Sequence, residues 1–195
     1  MSNLKVIQLL PELNIGGVER CTKDFSKALV EKGHQSIVIS NGGIFEDDIV
    51  SDGGQHIKIP IHKKNLFSFL LSKKLKAIYE NEKPDIVHVR SRMPAWINYY
   101  AFKKMENKPL LISTFHGIYS TPIYSQIMAK VDHIIAISET VKNYIIDTYK
   151  TPESSITTIP RGCDIDMFNK ETASYDWINK WYKEFPQTRN KIILT

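Results

Sequence analysis

The stretch Asn14-Ile15-Gly16-Gly17-Val18-Glu19-Arg20 separates a short apolar run, residues 4–10, from a long amphipathic run, residues 18–32. The first run has the composition of a parallel strand buried on both faces, and the second places its apolar side chains on one face of a helix. A strand that ends in two glycines and continues into a helix presents backbone N–H groups at the positive end of the helix dipole. The pattern therefore predicts either a tight turn or an anion site, and the glycines alone do not decide between the two.

Six more apolar runs follow the first, and amphipathic runs separate most of them. The later predicted strands are residues 35–40, 56–60, 84–90, 109–115, 132–137 and 155–159, and the predicted helices are 18–32, 45–51, 66–79, 94–105 and one that begins after Ser138. Because strands and helices alternate, the sequence predicts an open, doubly wound, Rossmann-like α/β sheet that is mainly parallel. Such sheets bind ligands beyond the carboxyl ends of their strands, so the residues that follow each strand are the candidate site.

The composition limits the classes of protein to which the chain can belong. Of its 195 residues, 42% are hydrophobic and 24% are charged, which suffices for one sizeable core. The net charge of +5 favours anionic substrates or membrane surfaces, but it is too diffuse to indicate nucleic acid. Cys21 and Cys163 have neither disulfide nor metal-ligand spacing, which fits a reducing cytoplasm. We expect neither a signal peptide nor a spanning helix, which needs ~18 apolar residues.

Residues 66–79 form an apolar run interspersed with Lys73, Lys74 and Lys76. The interpretation that we favour is a crossover helix that packs on the sheet and keeps its lysines in water. The alternative is a helix that also contacts anionic lipid headgroups. That contact would make the protein peripheral on the inner face of the cytoplasmic membrane.

Five short motifs, in order along the chain, resemble the amino-terminal half of the glycosyltransferase family 4 enzymes, which have the two-Rossmann-domain GT-B fold. The motifs are residues 14–20, 84–88, 114–117, 132–138 and 159–164 together with Phe168. Within the family, the chain is most similar to bacterial cell-envelope or lipopolysaccharide-core transferases. The resemblance predicts a Rossmann-like amino-terminal domain over residues 1–168, a helix and interdomain linker over 169–190, and the first strand of a truncated carboxy-terminal domain over 191–195.

The resemblance implies retaining, metal-independent transfer of a sugar from a nucleotide diphosphate sugar, with no cofactor besides that co-substrate. A saccharide or lipid acceptor would bind to the amino-terminal domain. By motif, Gly16 and Gly17 would lie under the donor diphosphate or the transferred sugar, which favours the anion site over a bare turn. His116 would be the catalytic residue that reaches the sugar or the acceptor, and Arg161 with Gly162 would lie at the domain junction.

Three further residues are candidates for binding the acceptor. Glu19 follows the two glycines, and Arg90 and Arg92 follow the fourth predicted strand. The two arginines suit an anionic acceptor such as a phosphorylated sugar or a lipid headgroup, and solvated surface arginines are the alternative. His116 has an alternative too, as a structural hydrogen-bonding residue, although its place at a strand end favours a ligand.

The family's second domain, which carries most of the donor contacts, has no counterpart in these 195 residues. Three functions are compatible with that: half of a glycosyltransferase that needs a separately encoded carboxy-terminal half, a non-catalytic remnant or acceptor-binding module, and an unrelated Rossmann nucleotide-binding protein such as a dehydrogenase. The third is disfavoured because the first turn lacks a full G-x-G-x-x-G and no acidic residue follows the second strand at Ser40-Asn41. We expect the chain alone to show no measurable sugar transfer.

Overall fold

The computed structural model describes residues 3–63, 65–162, 174–189 and 191. The chain forms two compact units, Met1–Pro160 and Arg161–Thr195. Cys163, residues 164–173 and residues 192–195 lie outside the described part, and with them most of the strand predicted over 191–195. The predicted boundaries at residues 168 and 190 therefore stay predictions.

The described residues of the first unit form a seven-stranded sheet in which every neighbouring pair of strands is parallel. The strands are β1 (Lys5–Leu9), β2 (Gln35–Ser40), β3 (Gln55–Lys58), β4 (Ile86–Val89), β5 (Leu110–Phe115), β6 (His133–Ala136) and β7 (Ile156–Thr158). Their order is β3-β2-β1-β4-β5-β6-β7, which confirms the predicted doubly wound α/β fold. The order reverses between β1 and β4, and a crevice at such a switch point is where open α/β sheets bind ligands.

Helices connect the strands and cover the sheet. They are α1 (Gly17–Glu31), α2 (Glu46–Ser51), α3 (Leu71–Glu82), α4 (Arg92–Phe102), α5 (Pro122–Ser125) and α6 (Glu139–Tyr149). Both faces of the central strands are covered: Ile7, Leu9 and Ile39 on one face and Gln8 and Val38 on the other have no exposed surface. Helix α6 begins directly after Ser138 as predicted, and Ser138 caps it, since its hydroxyl accepts a hydrogen bond from the Val141 N–H at 3.2 Å.

The run predicted as one helix over residues 66–79 is two elements, the 3₁₀ turn Leu66–Leu70 and the helix α3. The turn forms because the Asn65 side chain accepts the Ser68 N–H at 2.9 Å, while the Ser68 hydroxyl donates to the Lys63 carbonyl at 2.7 Å. Leu75 and Tyr79 of α3 are buried in the core. The favoured interpretation of a crossover helix is therefore confirmed for α3, and the exposed apolar side chains of this run lie on the 3₁₀ turn.

The second unit contains the helix α7 (Tyr175–Glu184), which lies within the residues 169–190 predicted to hold a helix. Its Trp177 and Trp181 rings stack with centroids 5.5 Å apart, and the Trp181 indole N–H donates to the Thr188 hydroxyl at 3.0 Å. Across the described residues of both units, no helix is long and apolar enough to cross a bilayer.

Candidate functional site

The carboxyl edge of the sheet brings together most of the residues that the sequence predicts for the site. Gly16 and Gly17 begin α1 after β1, Arg90 and Arg92 follow β4, and His116 follows β5. These strands are neighbours in the order β1-β4-β5, so the residues line one continuous stretch of that edge. Arg161 and Gly162 belong to the second unit, and their role at a domain junction stays a prediction.

The carboxylate of Glu19 lies against the glycine turn. Gly16 is extended (φ 176°) and precedes the first turn of α1, and its carbonyl accepts the Arg20 N–H at 3.0 Å. A Cβ at Gly16 would lie 2.2 Å from Oε2 of Glu19, so that carboxylate covers the turn. Glu19 is in the first turn of the helix, where a negative charge is stabilised by the dipole. A negative charge of the protein itself therefore lies against this turn.

Arg90 is a buried cation at the switch point, with 4% of its surface exposed. Its Nε donates to Oε1 of Gln8 at 2.9 Å, its NH1 lies 3.6 Å from Sγ of Cys21, and the guanidinium carbon is 5.4 Å from the Phe25 ring centroid. The alternative of a solvated surface arginine is therefore wrong for Arg90. These contacts hold the positive charge between β1 and α1.

Arg92 connects the first turn of α4 to the loop after β5. Its NH1 donates to the hydroxyls of Thr121 at 3.0 Å and Ser125 at 3.4 Å. The guanidinium carbon also lies 5.0 Å from the Tyr119 ring centroid and 5.3 Å from that of Tyr124, within the range of cation–π attraction. Arg92 thus orders the loop that carries His116, whether or not it also binds an acceptor.

His116 lies beside a second histidine that the sequence reasoning did not single out. His88 on β4 is buried, and its Nε2 is 2.7 Å from the Thr114 hydroxyl. Burial holds the pKa of His88 well below its ordinary value, and the charges of Arg90 and His116 lower it further. The imidazole of His88 is therefore neutral at neutral pH and lies within electrostatic range of Arg90 and His116.

Tyr119 ties the backbone of His116 to the rest of the loop. Burial raises the pKa of the Tyr119 hydroxyl, while the backbone N–H of His116, which donates to it, acts in the opposite direction. The Tyr119 ring also packs on Phe115, with centroids 5.2 Å apart. The signal that could have found the supporting residues is a polar side chain inside an apolar strand, as at Gln8 and His88.

The described parts of the chain contain no group of three or more His, Cys, Asp or Glu side chains that could hold a metal ion. The chemistry that the site offers is that of backbone N–H groups at a helix start, a buried guanidinium and a histidine, all on one edge of the sheet. This combination suits an anionic ligand with hydroxyl groups nearby. The fold is a Rossmann-like α/β fold, and sheets of this class bind their ligands at this edge.

The sequence model described as Glycosyltransferase Family 4 matches residues 15–167. The match spans most of the chain, and the chain belongs to this family. No curated protein shows a significant sequence match to it.

Solved structures with the same fold include GT-B glycosyltransferases and UDP-N-acetylglucosamine 2-epimerases. A glycosyltransferase from Rickettsia africae is 33% identical, with a TM-score of 0.78 over 95% of this chain and 50% of its own. HepE from Anabaena, solved with UDP and glucose, is 17% identical, with a TM-score of 0.71 over 94% of this chain and 50% of its own. WaaG, a glycosyltransferase involved in lipopolysaccharide biosynthesis, is 9% identical, with a TM-score of 0.66 over 93% and 51%. The chain spans about half the length of each.

Proposed function

We propose that this chain is the acceptor-side part of a glycosyltransferase that moves a sugar from a nucleotide diphosphate sugar to a saccharide or lipid acceptor. Transfer would proceed with retention of configuration and without a metal or a cofactor. The observation that carries the proposal is the family match over residues 15–167, which covers every element of the carboxyl edge from the glycine turn to the loop after β5. The alternative within the family is a non-catalytic acceptor-binding module.

Each residue of the candidate site would have a role in transfer that follows from its position. Gly16 and Gly17 present the start of α1 to the donor diphosphate or to the transferred sugar, because no side chain intervenes there. Arg90 adds a positive charge that its burial shields from solvent, and such a charge attracts an anion more strongly than an exposed one. His116, ordered by Tyr119, would hydrogen-bond to the sugar or the acceptor next to the reacting centre. Arg92 would bind an anionic acceptor.

We expect the purified chain to bind UDP at the glycine turn and the Glu19→Gln variant to bind it about fivefold more tightly. The reason is that the Glu19 carboxylate lies against Gly16 and would repel a diphosphate bound there, and removing a charge at a helix start is worth ~1 kcal/mol. The measurement is a UDP titration by isothermal calorimetry or by amide NMR shifts at low salt. Glu31→Gln, at the far end of α1, is the matched control and should leave affinity unchanged.

Two outcomes would contradict this proposal. The first is the absence of UDP-dependent shifts at residues 15–20 even at millimolar UDP. The second is an equal effect of the two glutamate substitutions, which would show a bulk charge effect instead of a local one.

We further propose that sugar transfer needs a second Rossmann domain that carries most of the donor contacts. The relatives, which are about twice as long, support this requirement. In a UDP-release assay with UDP-glucose and a saccharide or lipid acceptor, we expect no turnover by the 195-residue chain and turnover after a second domain of the family is added. Robust turnover by the chain alone would refute the proposal, and acceptor binding without turnover in either case would favour the binding module.

A peripheral contact with an anionic cytoplasmic membrane is a second proposal, favoured by a specific surface. Phe67 and Leu70 on the 3₁₀ turn are 78% and 63% exposed, and Ile123 on α5 is 84% exposed. Between them, Trp96 stacks on Tyr100 with ring centroids 6.5 Å apart along the outer face of α4. Aromatic rings between exposed apolar side chains, with basic residues on the adjoining α3, are typical of a surface that rests on lipid headgroups.

We expect the double variant Phe67→Ser, Leu70→Ser to bind vesicles of phosphatidylglycerol and phosphatidylcholine at least tenfold more weakly than the wild type. Burial of an apolar side chain of this size is worth ~1.5 kcal/mol or more, and both residues are exposed in the free protein. The measurement is vesicle co-sedimentation over a range of lipid concentrations. Val50→Ser, which removes another exposed apolar side chain on α2, should bind as the wild type does. Equal binding by all three proteins would exclude this surface.

A further inference from the structure

A hydrogen-bonded network of three side chains closes the loop that follows β2. Oε1 of Glu46 accepts the Gly43 N–H at 2.7 Å, and its Oε2 lies 3.1 Å from Nδ1 of His56. On the other side of the ring, Nε2 of His56 is 2.9 Å from the hydroxyl of Ser40, which accepts the Gly42 N–H at 2.9 Å. The backbone N–H groups of two consecutive glycines are thus each bound by a side chain of this network.

The positions of the protons follow from these partners. Nδ1 of His56 must donate, because a carboxylate only accepts. Burial lowers the pKa of His56, and the resulting neutral ring leaves Nε2 as an acceptor for the Ser40 hydroxyl proton. The pKa of Glu46 is lowered by the Gly43 N–H, against a smaller desolvation effect. With the proton of His56 on Nδ1, every hydrogen bond of the network therefore joins one donor to one acceptor.

The loop that contains Gly42 and Gly43 packs against residues 11–14, the segment that leads into the glycine turn. A Cβ on Gly43 would lie 2.4 Å from the carbonyl carbon of Leu13, so only glycine permits this approach. Three backbone hydrogen bonds fasten the two loops: Leu13 N–H to Gly42 O at 2.9 Å, Phe45 N–H to Leu13 O at 3.1 Å, and Asn41 N–H to Pro11 O at 2.9 Å. Residues 11–14 are followed directly by Ile15, Gly16 and Gly17.

We propose that Glu46 and His56 are positioning residues for the glycine turn, acting through the loop after β2 on residues 11–14. Neither residue touches the turn. They hold Gly42 and Gly43 in the conformation that fastens residues 11–14, and this sets the direction in which the N–H groups at the start of α1 point. The role of the network in ligand binding rests on the proposed anion site at Gly16 and Gly17. Its effect on the conformation of residues 11–14 does not depend on that site.

Protonation of His56 is the event that would disturb the network. Both ring nitrogens would then donate, so the Ser40 hydroxyl would receive hydrogen bonds from His56 and from Gly42 and would lose the acceptor for its own proton. Within the described residues, the charged groups that face His56 are Glu46 from α2 and Lys58 from β3, and Lys58 is itself 3.1 Å from Glu46. The direction of the glycine turn is therefore expected to change as the pH falls below the ordinary range of histidine.

The test is amide NMR and hydrogen exchange on the whole chain without any ligand. In Glu46→Gln we expect exchange at the Leu13 and Phe45 amides to accelerate about fivefold to tenfold, because the hydrogen bonds that fasten them lose their support. In the wild type, the amide signals of Gly16 and Gly17 should shift with an inflection below pH 6.5, and His56→Gln should abolish that inflection. Glu80→Gln, which breaks a surface ion pair on α3, is the matched control and should change neither reading.

The inference is overturned if exchange at Leu13 and Phe45 is unchanged in Glu46→Gln, or if the inflection at Gly16 and Gly17 persists in His56→Gln. Uniform acceleration across the first unit would also overturn it, since that is global destabilisation. Should His56→Gln not fold, Ser40→Ala removes the same hydrogen bond from the other end and must give the same loss of inflection. If UDP binds but the substitutions leave the amide readings unchanged, only this inference is overturned. If the substitutions change the amide readings but UDP does not bind, only the proposed anion site is overturned.

Discussion

Gly43→Ala is expected to lower the free energy of unfolding by ~2–5 kcal/mol. Gly43 has a φ of 150°, a conformation that residues with a side chain rarely adopt, and its Cβ position lies 2.4 Å from the Leu13 carbonyl carbon. The obstacle is backbone and cannot rotate away, so the two loops must separate. Separation would break the hydrogen bonds between them, including that from Leu13 N–H to Gly42 O. Urea denaturation followed by circular dichroism measures the loss.

Gly33→Ala is the matched control for this prediction. Gly33 also has a positive φ, 79°, but nothing lies within 4 Å of its Cβ position. Its replacement should cost only the backbone strain, ~1–2 kcal/mol. Equal losses in the two variants would show that the close approach of the two loops contributes nothing to stability.

The second large effect is a decrease in stability as the pH falls from about 7 to about 5.5. His88 is buried, and burial holds its pKa well below 6.5 in the folded protein. In this window the unfolded chain takes up a proton at His88 and the folded chain does not, so acidification from pH 7 to pH 5.5 favours unfolding by ~1.3 kcal/mol in total. Above about pH 7 the residue contributes no pH dependence. His56 shifts in the same direction, whereas the lowered pKa of Glu46 acts only below about 4.5.

The measurement is the urea midpoint at a series of pH values for the wild type and His88→Gln. The variant loses the hydrogen bond to the Thr114 hydroxyl and is less stable at pH 7, but its stability should fall much less steeply towards pH 5.5. His133→Gln, which removes a histidine from the partly exposed strand β6, should keep the wild-type slope. A slope in His88→Gln as steep as in the wild type would show that His88 takes up its proton in the folded state.

The place of the candidate site could be predicted from the sequence because of a property of parallel sheets. Residues that follow parallel strands must lie at one edge, whatever the details of packing. The glycine turn, Arg90 and His116 could be assigned to one edge for this reason, and the strand order β1-β4-β5 confirms that they are neighbours. Strand limits were predicted well for β2, whereas β4 begins two residues later than predicted because Pro84 cannot donate and the Asp85 carboxylate accepts the Lys5 N–H instead.

The environment of each site residue could not be predicted in the same way. Whether Arg90 is solvated or buried depends on Phe25 and Cys21, which α1 brings over it from nearly 70 positions earlier in the chain. The network of Ser40, Glu46 and His56 joins β2, α2 and β3, and it exists only because β3 pairs with β2 in a register that sets Val38 opposite His56. No local pattern encodes such contacts, since each side chain is unremarkable in its own segment.

The sequence by itself determined the alternation of strands and helices, the family, and the edge at which a ligand would bind, because these depend on local composition and on rules that hold for every parallel sheet. Only the tertiary structure decided that Arg90 is buried, that the Glu19 carboxylate covers the glycine turn, and that Gly43 lies against Leu13. These are distances between side chains and backbone from separate segments, and they are set by how the elements pack.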